Sequence, residues 1–433
     1  MMRKILAGWI LLLLTTGVGA AAPAPVRSAR QLDALIARMT IEEKLGQLTQ
    51  FVASHPNLRE LIAEGKVGSV FNFGGSQATN ELQRIAVESS RLGIPLLFGH
   101  DVIHGYRTIF PNPLAIAATW DPASAESAAR IAAREGRAAG VRWTFAPMVD
   151  VARDPRWGRI AEGAGEDPFL GSAMARAYVR GFQGDDLSSP DALMACAKHY
   201  VGYGAAEAGR DYNTTDIPEN RLREIYLPPF HAAVEAGVGS LMTGFNAING
   251  VPATANDFVL DQILRREWGF DGFVVSDYEA VEQLIPHGVA ANAQEAAIKS
   301  IKAGVDMNMV DAAYMTLADA VRENRLPVAV VDEAVRRVLR AKLAVGLFDE
   351  PYAEEGGEER VFLLPAHRQA ARRVAQKSIV LLKNEVDLLP LSKTIGTVAV
   401  IGPFIDDGDQ MLGSWRAMGR GEDAVTILQG IRA

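Results

Sequence analysis

From Ile41 to Val345 the chain alternates short apolar runs with longer stretches of helical periodicity. That alternation limits the possible folds more than any other feature. The runs Val67–Phe73, Leu96–Phe98, Val141–Ala146, Leu193–Ala197, Gly239–Thr243, Gly272–Val275 and Val305–Met309 predict strands. Helices are predicted between and after them, over 78–92, 124–139, 172–182, 219–236, 256–268, 293–303, 314–324 and 328–345. Thr40-Ile41-Glu42-Glu43 has the form of a capping box that opens a further helix. The last helix carries apolar residues at 331, 335, 338, 339 and 343, and Gly346 stops it. Strands this apolar are covered on both faces, which calls for a parallel sheet with helices outside. About eight such units suit a (β/α)8 TIM-type barrel, here residues 28–347. The Rossmann alternative needs G-x-G-x-x-G after its first strand. Phe73-Gly74-Gly75-Ser76 does not supply it.

The pattern changes after the barrel region. Residues 348–395 read as a linker: Asp349–Arg360 is acidic and unpatterned, Pro365–Ser378 is a basic helix, and Ile379–Leu382 is a strand. Thr397–Ile401 predicts another strand. Residues 396–433 are then expected to be the truncated start of an α/β sandwich domain, too short to complete a second layer. At the other end, Arg3 and Lys4 precede the apolar stretch Ile5–Leu14, and Val18-Gly19-Ala20 offers small residues for cleavage. Residues 1–20 therefore read as a secretory signal peptide, with a periplasmic or secreted product. A net charge of −8 disfavours nucleic acid and anionic membrane surfaces as partners. The single cysteine, Cys196, precludes an intrachain disulfide and reads as a buried small hydrophobe.

Strand ends on the C-terminal side of such a barrel line its active site. The predicted ends bring Asp101, Asp150, Lys198, His199 and Asp277 to that rim, and the loop after Val141–Ala146 adds Arg153, Asp154, Arg156 and Arg159. Converging carboxylates and cations suit a polyhydroxylated ligand, because charge-assisted hydrogen bonds to hydroxyls are strong. A lone Asp at a strand end is also a common loop cap, and Arg153-Asp154 also reads as a structural ion pair. Lys198 is harder to explain structurally, since lysine is rarely buried without a partner. His100 and His104 have zinc-helix spacing, but the intervening Glu of H-E-x-x-H is absent and the segment follows a strand. No metal or cofactor is expected.

Several motifs together resemble family 3 glycoside hydrolases. They are Gly99-His100-Asp101-Val102-Ile103-His104-Gly105 with Thr108–Pro111, Ala146–Asp150, Arg153-Asp154-Pro155-Arg156-Trp157-Gly158-Arg159, Gly165–Pro168, Lys198-His199-Tyr200 and Gly272–Asp277. Met411-Leu412-Gly413-Ser414-Trp415 extends the likeness towards periplasmic β-glucosidases of Gram-negative bacteria. The resemblance implies Asp277 as nucleophile. It places Asp101, Arg159, Lys198 and His199 on the sugar of the −1 subsite, and Tyr278 beside the leaving group. Phe245 stands where many relatives have a tyrosine that bonds the nucleophile, and Ala164 where an aromatic is usual. Val201-Gly202-Tyr203-Gly204 lacks the histidine of the N-acetylglucosaminidase branch, which favours the glucosidase branch.

The implied reaction is hydrolysis of terminal β-D-glucosyl residues from oligosaccharides or glucosides with retained configuration. The acid/base glutamate is expected beyond Ala433. β-Xylosidase or broad β-glycosidase activity is an open alternative, as is a non-hydrolytic sugar-binding product lacking that acid.

Overall fold

The computed structural model describes residues 27–433; the signal-peptide reading of 1–20 lies outside them. Among the described residues there are eight parallel strands: β1 Thr49–Val52, β2 Ser69–Phe71, β3 Leu97–His100, β4 Trp143–Thr144, β5 Cys196–Tyr200, β6 Ser240–Thr243, β7 Phe273–Val275 and β8 Asn308–Met309. They form two parallel sheets, ordered β8-β1-β2-β3-β4 and β5-β6-β7. Single parallel bridges connect the sheets at both sides, Trp143 with Met194 and Met148 with Lys198 on one, Val275 with Met307 on the other. Helices separate the strands, so the fold is mixed α/β with parallel sheets. A short antiparallel hairpin, Ala247–Ile248 with Val251–Pro252, follows β6.

Local chemistry explains the elements. The Thr40 side chain accepts from Glu43 N while the Glu43 carboxylate accepts from Thr40 N, completing the expected capping box. The Ala-rich helix Pro122–Ala138 starts with Pro in its first turn and is capped by Asp121. Its small side chains let it approach the helix Pro168–Gln183 closely. A Cβ on Gly181 would lie 2.6 Å from the Ala129 Cβ, so that contact requires glycine. Inside the sheets, Trp143, Phe145 and Phe273 are fully buried, and Trp143 Nε1 donates to Ser240 Oγ at 2.8 Å.

Four expectations are corrected. The first strand, β1, was not legible as an apolar run, because Thr49 and Gln50 open it. Both are tied inside: Thr49 Oγ1 donates to Leu45 O at 2.9 Å and Gln50 Nε2 to Ser69 Oγ at 2.7 Å, while Gln50 Oε1 has no hydrogen-bond partner among the described residues. Strand β5 begins three residues later than expected and includes Lys198 and His199, whose acidic partners make their burial tolerable. The expected strands Ile379–Leu382 and Thr397–Ile401 do not form. Their backbones have no ladder partner, and Leu382 and Ile401 are each 91% exposed. The acidic stretch after Phe348 contacts the helix Ser76–Arg84: Glu358 accepts from Ser76 N and Oγ, both at 2.6 Å, and Ala353 exchanges backbone contacts with the Asn80 amide. The basic helix Pro365–Ser378 forms as expected.

One buried charge affects stability. Lys342, in the helix Val328–Ala344, is 0% exposed and donates to Gln47 Oε1 at 2.6 Å and Pro95 O at 2.7 Å. Neither partner is acidic, and burial pushes the amine down to about 7. The unfolded chain keeps its lysine proton up to about pH 10.4. Between those values the unfolded state binds the extra proton, so this group makes stability rise with pH. The expected slope approaches about 1.4 kcal/mol per pH unit between roughly pH 7 and 10. Denaturant unfolding at several pH values should lose that component in Lys342→Met, whatever the variant's absolute stability.

Candidate active site

Strand ends and the loops that follow them assemble one polar cluster. Lys198 and His199 are adjacent in β5, and both side chains enter the cluster. Lys198 Nζ donates to Asp101 Oδ1 at 2.8 Å, and Asp101 lies just after β3. Asp101 is itself oriented by Asn72 at the end of β2. Asn72 Nδ2 donates to Asp101 Oδ2 at 3.0 Å, and Asp101 N donates to Asn72 Oδ1 at 2.8 Å. The pair is buried, with side-chain exposures of 3% and 8%.

His199 is held on both sides. Asp150 Oδ2 accepts from the His199 backbone N at 2.9 Å and lies 2.8 Å from Nδ1. Nε2 lies 2.9 Å from Arg159 Nη2. Burial and the nearby Arg159 and Lys198 charges hold the imidazole well below its usual range, so it is neutral. Its proton then sits on Nδ1 facing Asp150, and Nε2 accepts from Arg159. Burial raises Asp150 to about 7, opposed by the His199 backbone bond. Burial alone would lower Arg159, but Glu162 outweighs it with a forked pair, Nε to Oε1 at 2.7 Å and Nη2 to Oε2 at 3.2 Å.

Asp277 follows β7 and faces this network. Its Oδ1 accepts from Tyr278 N at 2.7 Å, whereas the buried Oδ2 has no hydrogen-bond partner among the described residues. The nearest cationic-type atom to Oδ2 is His199 Nε2 at 3.6 Å. Because that imidazole is neutral, the contact is not an ion pair. Burial pushes the Asp277 carboxyl up to about 6, against the charge of Arg159, the Tyr278 N–H and Lys198. Tyr278 is 39% exposed and meets Phe71 edge-on at 5.7 Å.

All five strand-end residues read from the sequence therefore converge, and Arg159 joins them. The rest of its loop does not. Asp154 pairs with Arg156, through Oδ2 and Nη2 at 2.6 Å, instead of with Arg153. Arg153 lines a separate surface cleft with Glu166, Asp216 and Arg221. Both His104 nitrogens face carbonyl oxygens, Phe110 O at 2.7 Å and Ser414 O at 2.6 Å. Phe245 is buried against Tyr203 and Tyr212. Cys196 is buried in β5, as expected.

Sequence reasoning left Asn72, Glu162, Tyr203 and Trp415 without a place in the site. Asn72 was hidden because the expected strand ran on to Phe73, whereas β2 ends at Phe71 and leaves Asn72 just beyond it. Glu162 carried a weak signal, three residues after Arg159. Tyr203 contacts His199 edge-on at 5.3 Å and lies under Arg159 at 5.6 Å, while Trp415 lies 5.5 Å from Lys198 Nζ. No local pattern encodes those contacts.

A charged, partly buried cluster at the C-terminal ends of parallel strands is the arrangement of a polar-ligand enzyme site. The comparisons specify the family. The Glycosyl hydrolase family 3 N terminal domain matches residues 40–341, and the Glycosyl hydrolase family 3 C-terminal domain matches residues 379–433. The chain belongs to glycosyl hydrolase family 3. It is 41% identical over 408 residues to the periplasmic beta-glucosidase of Salmonella typhimurium, covering 92% of this chain and 53% of that protein. A beta-xylosidase of Formosa agariphila is 41% identical over 362 residues, covering 78% of this chain and 50% of the relative. The beta-glucosidase of Listeria innocua in complex with glucose superposes with a TM-score of 0.89 at 38% identity, covering 94% of this chain and 58% of that one. The chain thus spans about half the length of the curated relatives it matches.

Proposed function

We propose that these residues form the glycosyl-binding and nucleophilic half of a retaining β-glucosidase site. The observation that carries the reading is Asp277 Oδ2: a buried carboxylate oxygen without a hydrogen-bond partner, beside a neutral histidine and two charge pairs. In the first step Oδ2 forms a bond to the anomeric carbon. The glycosidic C–O bond breaks, and its electron pair leaves on the aglycone oxygen. Water then attacks the same carbon from the opposite side, restores the Asp277 carboxylate and gives up a proton, so configuration is retained. Lys198–Asp101 and Arg159–Glu162 present charged hydrogen-bonding groups for sugar hydroxyls, and Tyr278 borders the aglycone.

We also infer that the two parallel sheets close into one (β/α)8 barrel over 28–347. The bridges at both junctions support this, as does Trp143 of β4 meeting Phe273 of β7 edge-on at 5.0 Å. The reading extends to a linker over 348–395 and a second α/β domain beginning at 396. The leader-like residues 1–20 and the name of the Salmonella relative support export to the periplasm or medium. No helix among the described residues is long and apolar enough to cross a membrane.

Glucosides are the preferred substrates in this reading, supported by the Salmonella and Listeria relatives. A β-xylosidase is the second reading, favoured by the Formosa relative. The two sugars differ by one hydroxymethyl group, so discrimination rests on small energy differences. Comparing kcat/KM for dinitrophenyl β-glucoside and β-xyloside decides between them: a higher value for the xyloside overturns the first reading.

The leaving group gives a further prediction. The carboxylates around Asp277 are committed, Asp101 to Lys198, Glu162 to Arg159, and Asp150 behind His199 with its side chain fully out of solvent. None is poised to protonate an alkoxide. A dinitrophenolate departs without that proton, whereas the aglycone of cellobiose needs it. The 433-residue chain is expected to react with dinitrophenyl β-glucoside and to be slower on cellobiose by more than the roughly 10²–10⁴-fold worth of general acid catalysis. Azide, which needs no deprotonation, should raise turnover and give β-glucosyl azide. Cellobiose hydrolysis at an ordinary enzyme rate would place a proton donor among these carboxylates.

Protonation of Asp277 sets the acid limb. Only the carboxylate attacks, so kcat/KM for dinitrophenyl β-glucoside should fall as pH drops through about 6. Arg159→Gln removes a charge that favours the ionised form, and should move that limb to higher pH. A limb that stays in place in the variant would contradict this assignment.

A further inference from the structure

The substrate loop after β3 is fastened to a segment that lies far beyond the barrel in sequence. Its base is fixed by Glu135, which is 0% exposed and accepts from Thr108 N and Oγ1, both at 2.7 Å, and from Arg107 N at 3.0 Å. From that base several contacts reach residues 414–423, among them Arg107 Nη1 donating to Met418 O at 3.1 Å. Met418 N donates to Tyr106 O at 2.8 Å, Arg107 Nη2 pairs with Asp423 Oδ2 at 2.7 Å, and His104 Nε2 meets Ser414 O at 2.6 Å. The His104 ring cannot swing away freely, because its Nδ1 is held against Phe110 O at 2.7 Å and the side chain is buried.

The residue after Ser414 is Trp415. Its ring lies 5.5 Å from Lys198 Nζ, within cation–π range, on an ammonium that also binds Asp101. Its backbone is left-handed, φ 56°, between Gly413 at 69° and Ala417 at 43°. A bulky residue rarely adopts that conformation unless its surroundings impose it. The backbone contact that His104 makes falls on Ser414, the residue directly before Trp415. Trp415 is also 41% exposed, so its ring is shared between Lys198 and solvent.

We propose that His104 is a positioning residue that holds Trp415 against Lys198, so that a side chain from outside the barrel forms one wall of the sugar pocket. The proposal rests on the glycoside reading of that pocket. It differs from a general stabilising role because it predicts that His104 acts on sugar binding only through Trp415.

The test uses the 433-residue chain, with variants His104→Ala, His104→Gln, Trp415→Ala and the double variant His104→Ala/Trp415→Ala. Hydrogen exchange over 411–419 and the affinity for isofagomine, the ligand in one Listeria beta-glucosidase complex, are measured together. His104→Ala should accelerate exchange over 411–419 and weaken isofagomine about 10-fold, the worth of one lost hydrogen bond. Trp415→Ala should weaken it at least as much, and the double variant no further. His104→Gln, whose amide can still donate to Ser414 O, should recover part of both effects and guards against a misfolded alanine variant. Unchanged exchange in His104→Ala, or additive losses of affinity, would overturn the proposal. Accelerated exchange in a chain that binds no isofagomine in any form would overturn Trp415 as a pocket wall together with the glycoside reading, while leaving the His104–Trp415 contact established.

Discussion

Asp277→Ala is expected to lower turnover of dinitrophenyl β-glucoside by about 10⁴–10⁶-fold, the scale seen when a covalent nucleophile is removed. The good leaving group isolates this loss, because its departure does not depend on a proton donor. Folding should survive. The substitution removes one buried oxygen that has no partner and one that accepts only from the neighbouring Tyr278 N, so no ion pair is broken. Unfolding midpoints at or above that of the unaltered chain should accompany the kinetic loss. Azide can also enter the space left by the carboxylate. It would attack from the same face and yield α-glucosyl azide, the opposite anomer to the product expected with Asp277 present. A folded variant with substantial turnover would remove Asp277 from the role.

The second large effect concerns Lys198. Its proposed hydrogen bonds to sugar hydroxyls tighten as charge develops at the anomeric carbon, so Lys198→Met should lower kcat/KM by about 10²–10⁴-fold. The same substitution strands the Asp101 carboxylate, and losing one partner of a buried pair costs about 3–5 kcal/mol. Activity and stability must therefore be separated. The double variant Lys198→Met/Asp101→Asn removes the stranded charge and should recover much of the stability while kcat/KM stays low. A folded Lys198→Met variant that keeps the unaltered kcat/KM would make Lys198 only a structural partner of Asp101. His199→Ala is expected to lose activity on the same scale, because it removes the group between Asp150 and Arg159.

The fold was legible where side chains obey a simple burial rule. Apolar runs located β2, β3, β4, β6, β7 and β8, and the helix 293–303 matched to the residue. The rule failed where polar side chains are buried with partners. Thr49 and Gln50 hid β1, and Lys198 and His199 made β5 look three residues shorter at its end. It failed in the opposite sense at Ile379–Leu382 and Thr397–Ile401, which are apolar enough for strands but have no neighbouring strand to pair with. Strand propensity is a property of a sheet and not of a segment.

The site was legible for a different reason. Asp101, Asp150, Lys198, His199 and Asp277 each stand at or near the end of a strand, so knowing the strand order sufficed to bring them together. The distances that govern their chemistry were not legible. Nothing local in the sequence makes Arg159 face His199 instead of solvent, or turns Asp154 towards Arg156. Nor does it bring Trp415 to Lys198, a contact that depends on how the segment around Ser414 packs on the loop after β3.

The central claim is that Asp277 Oδ2 forms a covalent bond to the anomeric carbon. Incubating the 433-residue chain with dinitrophenyl 2-deoxy-2-fluoro-β-glucoside tests it most directly. The fluorine slows both steps, and the dinitrophenolate, which leaves without an acid, offsets this in the first step alone, so the covalent intermediate accumulates. Peptide mass spectrometry should then find a fluoroglucosyl ester on the peptide carrying Asp277, and none in Asp277→Ala. An adduct on a different carboxylate, or none on a folded chain that binds the sugar, would contradict the account.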